Sequence, residues 1–288
     1  MSTSGELGHP PESDVARATY RHLRMMLIAL PILLLVTSAL AALVLHSVAG
    51  SISAYYLGPF RDVFVGAMVG TAVCLVAYRG GPLEDYALNL SGFYAVVVAF
   101  VPTGLARTLD DLPPGERAEL VDSLRLTILA VVIVAAVFLL VEWRTGQWPG
   151  TELRRTPFTR FLFRGSTLLG LGFLALLAWR VIEGDAFGGV HLAATFLLIG
   201  GLVTAVASHG WPSATGSDPA ASYTGWYRLI AVLMVAGLPL LLVLRVARFE
   251  YAVIVTEWWE IGLFAIFWTM ETVRTWTPRP EASSGHVR

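Results

Sequence analysis

The chain has 288 residues, 56 % of them hydrophobic and only 14 % charged, with mean hydropathy +0.66. That composition lies far from ordinary water-soluble domains and makes the bilayer the expected solvent. A formal net charge of -1, with no basic patch interleaved with aromatics, excludes nucleic acid as a partner. The single cysteine, Cys74, rules out an intramolecular disulfide and a multi-cysteine metal site. All 20 basic residues are arginine, as expected of a GC-rich bacterial genome.

Residues 1–16 are polar and rich in Pro, Ser and Gly, and read as a disordered tail. A hydrocarbon core about 30 Å thick takes about 20 apolar residues per helix. Eight runs near that length follow, at about residues 25–48, 63–79, 88–106, 123–143, 161–182, 189–208, 228–247 and 251–273. The fold class expected is therefore an all-α, polytopic transmembrane bundle of about eight helices spanning residues 17–276. The first run is too long for the core of a secretory signal and reads as a retained helix. Pro31 and Pro239 are expected to kink their helices, and Gly66 with Gly70 to allow close helix approach. Residues 107–122 form an acid-rich connection, residues 209–225 a flexible one, and residues 277–288 a second disordered tail.

Positive residues concentrate in cytoplasmic loops. With the amino terminus inside, thirteen of the twenty arginines fall on the cytoplasmic side, so both termini are expected there, in a bacterial plasma (inner) membrane.

This topology brings several polar residues to one depth of the outer leaflet. Ser51, Ser53, Tyr55, Tyr56, Arg61 and Asp62 lie between the first two helices, and Pro102 closes the third. His191 opens the sixth helix, and Glu257 and Glu260, spaced i, i+3, share a face of the eighth. Ionisable groups at such depth are costly and mark functional positions. One reading is a pocket in which Arg61 holds an anionic group such as a lipid phosphate, with His191 and Glu257 available for hydrogen bonding or proton transfer. Its rival is a buried ion-pair network of Arg61, Asp62 and Glu257 that fixes helix packing. Too few histidines reach that depth for a three-histidine zinc site, and the motifs of nucleotide-driven pumps, common hydrolases and metalloproteases are absent. No cofactor or metal is expected.

Four segments carry a resemblance: SISAYYLGPFRDVFVGAMVGTAVCLVAYRG at 51–80, NLSG at 89–92, HLAA at 191–194 and TEWWEIGLFAIFW at 256–268. They resemble an uncharacterised family of bacterial integral membrane proteins and, more distantly, the superfamily of the damage-regulated autophagy modulators and the Golgi proteins that remodel lipid anchors. The resemblance implies a six-helix core, with an extra helix pair inserted here between residues 103 and 191. It assigns the shared positions to Ser51, Ser53, Arg61, Asp62, Asn89, His191, Glu257 and Trp258. Asn89, Trp258 and, at the end of the third helix, Pro102 are expected in structural roles. Where the bacterial relatives carry a lysine late in the last helix, this chain has Glu271.

The function expected is lipid interaction or membrane organisation through an outer-leaflet polar pocket, with no reaction assigned. One alternative is proton-coupled small-molecule transport on Glu257 and Glu260. The other is an intramembrane lipid transferase or hydrolase using His191, which requires a nucleophile within hydrogen-bond reach of that ring.

Overall fold

In hydrocarbon every backbone donor and acceptor needs a partner within the protein, and helices supply it locally. The computed structural model describes residues 11–57, 60–146, 149–183, 187–215 and 223–276, and among these there is no strand. In chain order the helices are α1 (Pro11–Val44), α2 (Arg61–Ala77), α3 (Pro82–Phe100), the short α4 (Leu105–Asp110), α5 (Pro114–Arg144) and α6 (Pro157–Glu183). After these come α7 (Val190–Gly210), the single turn α8 (Pro212–Thr215), α9 (Thr224–Val235), α10 (Gly237–Val246) and α11 (Ala252–Trp276). Seven of the helical stretches are long and apolar enough to cross a membrane, α3 with α4 and α9 with α10 each counting as one; α2, at 17 residues, is shorter. The all-α polytopic bundle expected from composition is the observed architecture.

The elements depart from the expected boundaries mainly at their starts. Helix α1 begins at Pro11, a residue suited to a first turn because the N–H it lacks has no helical partner there. Of the tails expected at 1–16 and 277–288, residues 11–16 are helical instead, and residues 1–10 and 277–288 lie outside the described residues. Helix α3 begins at Pro82, six residues before the apolar run, because Glu84 reaches back to accept the Gly81 N–H at 3.3 Å. The acid-rich connection is largely helical, with α4 ending at Asp110 and α5 starting at Pro114. The connection at 209–225 contains α8, and its residues 216–222 lie outside the described ones.

Six spans close a ring: α1 packs on α2, α2 on α3, α3 on α7, α7 on α9, α9 on α11 and α11 back on α1. Glycines set two of these approaches. A Cβ on Gly92 would lie 2.6 Å from Val76 Cγ2 and 2.9 Å from the Ala72 carbonyl, so α3 sits against α2 only because that position is bare. At Gly201 of α7 a Cβ would meet the Ser91 hydroxyl and, at 3.0 Å, the Ala87 carbonyl of α3. Gly70 faces Leu30 of α1, whereas Gly66 faces open space.

Helices α5 and α6 lie outside this ring, α5 against α3 and α6 against α7. Their flanks are apolar and exposed, with Val134 at 66 % and Ile182 at 81 % exposure, as lipid-facing surfaces are. Buried Glu142 near the end of α5 ties the pair to the ring through Arg79, at 2.8 Å.

The ring is broken at one place. Pro239 has no N–H for the Val235 carbonyl, and the helix ends at Val235 and restarts at Gly237. Trp259 of α11 donates its indole N–H to the Leu233 carbonyl beside the break, at 3.0 Å.

Candidate functional site

Between α1 and α2 the chain folds inward as a 3-10 turn, Ile52–Leu57. Ser51 caps it: its hydroxyl oxygen accepts the Ser53 N–H at 3.2 Å. The first turn N–H, that of Ile52, donates to Glu257 Oε2 of α11 at 2.6 Å, while the Ser51 hydroxyl donates to Oε1 at 2.7 Å. One carboxylate thus satisfies two buried donors and pins the turn against α11.

His191 meets the other side of the turn. Pro102 prevents α3 from continuing and leaves the Val101 carbonyl at the helix end, where His191 Nδ1 lies 2.6 Å from it. A carbonyl only accepts, so Nδ1 carries the proton and a neutral His191 presents the lone pair of Nε2. That nitrogen lies 3.2 Å from the Ser53 hydroxyl, which lies 3.0 Å from the Ser51 hydroxyl. Glu257, Ser51, Ser53, His191 and Val101 therefore form one continuous polar row joining α11, the turn, α7 and α3.

Beneath the row the ring holds a half-open cavity with a volume of about 120 Å³. Ser53, His191 and Glu257 line one end, and Leu75, Leu202 and Phe264 the other. Every ring helix contributes to the walls, whereas α5 and α6 contribute none. No arginine lines it. Glu260, one turn further along α11, also faces the cavity and is only 6 % exposed, and its Oε2 has no hydrogen-bond partner. The chain makes room for this carboxyl at the helix break, where any Cβ on Gly237 would collide with Glu260 Oε1.

Of the residues expected at this depth, Ser51, Ser53, His191 and Glu257 come together, and Glu260 joins them on the cavity wall. Arg61 and Asp62 do not: both are exposed in the first turn of α2, beyond Phe64, where that helix begins to line the cavity. Neither the Arg61-centred pocket nor an Arg61–Glu257 ion pair forms. Tyr55 is buried beside the turn and accepts the Ala49 N–H at 3.2 Å, whereas the side chain of Tyr56 lies outside the described residues. Trp258 donates to the Ser38 hydroxyl at 2.9 Å and ties α11 to α1, Pro102 is buried at the end of α3, and Asn89 holds a buried side-chain oxygen without a partner.

A second polar cluster, unforeseen from the sequence, closes the opposite end of the ring. His209 Nε2 lies 2.9 Å from Glu84 Oε1, and Glu271 accepts from Tyr227 at 2.8 Å and from Arg274 Nε at 3.0 Å. Arg24 stands 3.9 Å from Glu271, bonds Thr275 and reaches the Tyr78 hydroxyl at 3.3 Å. Glu84 and Glu271 are 3 % and 1 % exposed, so their charges are offset within the cluster and not by solvent. The i, i+3 pair Glu271 and Arg274 is the one signal of it in the sequence.

The chain matches no protein-family model, no curated protein and no solved structure. Fold and site define a multi-pass helical membrane protein with a closed ring of six spans, a peripheral pair and a polar-ended internal cavity.

Proposed function

We propose that this chain binds a lipid or lipid-like amphiphile inside its helical ring, in a bacterial plasma membrane. The cavity carries the reading: apolar walls suit a hydrocarbon chain, and Ser53, His191 and Glu257 stand together at one end, where the head of an amphiphile would lie. The resemblance to lipid-anchor-remodelling membrane proteins points the same way. Because no arginine lines the cavity and its carboxyl groups are acceptors, the head it suits is a neutral or donor-bearing one, such as a hydroxyl or amine, and not a phosphate.

Native mass spectrometry of the full chain, released from detergent, tests this against Thr195→Phe, which puts a ring into the cavity from α7. The expected result is a discrete bound lipid mass on the wild type and its loss from a variant that melts normally. Equal retention by both would overturn the assignment to this cavity.

A further inference from the structure

A hydrogen bond between Ser53 and His191 that served only to tie the turn to α7 would not need to face the cavity. Both residues line it, at its polar end. We propose that Ser53 is a nucleophile and His191 its general base, and that the pair cleaves the acyl ester of a neutral lipid whose chain occupies the cavity. This rests on reading the cavity as a lipid site.

Three features carry the proposal. The hydroxyl lies within hydrogen-bond reach of the imidazole, at 3.2 Å. The Val101 carbonyl fixes the ring in the tautomer whose Nε2 can take a proton, and it stabilises the imidazolium that results. The apolar walls run from this pair toward Phe264 and Leu202, so an acyl chain laid along them brings its carbonyl to Ser53. Ser51, though adjacent, does not line the cavity and gives its hydroxyl proton to Glu257, which makes it a positioning residue.

The Ser53 oxygen bonds to the ester carbonyl carbon as its proton passes to His191 Nε2. The carbon–alkoxy bond then breaks, and the leaving alcohol takes the proton from His191. Water attacks the acyl-Ser53 ester, His191 accepts a proton from it and returns one to Ser53, and the fatty acid departs.

A long-chain alkyl fluorophosphonate reports this chemistry without knowledge of the lipid, since an activated serine displaces its fluoride and keeps the phosphonyl group. Incubated with the full chain in nanodiscs and mapped by peptide mass spectrometry, the adduct is expected on Ser53. It disappears in Ser53→Ala and in Thr195→Phe, and forms at least about 100-fold more slowly in His191→Gln, the scale of a lost general base. No adduct, or one on another residue, on wild-type protein that still retains its lipid would overturn the nucleophile and leave the binding site standing. Absence of both adduct and lipid would sink the two readings together.

Discussion

Ser51 and Glu257 stand 206 positions apart in the chain and 2.7 Å apart in the fold. Through that bond and the neighbouring one to the Ile52 N–H, a turn between the first two spans is held by the last. Glu257→Ala leaves both donors buried without an acceptor, at a cost of about 2 to 4 kcal/mol. Glu257→Gln keeps a carbonyl oxygen and loses less. Thermal unfolding in detergent, followed by tryptophan fluorescence, is expected to rank wild type above Gln and Gln above Ala. An alanine variant that melts with the wild type would remove Glu257 as the anchor of the turn.

Glu260 shows the opposite economy. Its Oε2 is buried without a partner, where a polar group costs about 1 to 3 kcal/mol. Glu260→Leu is therefore expected to melt higher than wild type while retaining less of an amphiphile whose head donates a hydrogen bond. A lower melting temperature with unchanged lipid retention would show that the carboxyl serves packing.

How much of this was legible in the sequence follows from what a membrane-spanning pattern encodes. Hydropathy locates each helix along the bilayer normal, and it sets Ser51, Ser53, His191 and Glu257 at one level, where the fold joins them in a hydrogen-bonded row. It says little about rotation, because these helices are apolar nearly all round. That is why Arg61, at the same depth, belongs to the exposed start of α2 and not to the cavity. The inner cluster was missed because charges within a turn or two of a helix end read as loop charges. Only the ring closure shows that Glu84, His209 and Glu271, drawn from three helices, are turned toward one another.

That cluster makes its own prediction. Glu271 holds Tyr227 and Arg274 and faces Arg24, so Glu271→Leu strands two guanidinium groups and is expected to cost about 3 to 5 kcal/mol. Tyr227→Phe removes a single neutral donor and is expected to cost about 1 to 2 kcal/mol. Urea or thermal unfolding of the two variants side by side reads the order. A milder effect for Glu271→Leu would mean that the arginines find other acceptors.

The cavity's use depends on which leaflet its polar end meets, and orientation rests on the arginine distribution. The connection between α4 and α5 carries acidic residues, whereas the one between α5 and α6 carries Arg154 and Arg155. Since Cys74 is the only native cysteine, Cys74→Ser gives a blank background for exposed reporters at Glu116→Cys and Arg155→Cys. In intact cells a membrane-impermeant maleimide is expected to label the first and to reach the second only after the membrane is permeabilised. That outcome puts the Ser53 and His191 end of the ring, which lies on the same side as α4, at the outer leaflet. The reverse labelling would turn the bundle over and set that end at the cytoplasmic leaflet.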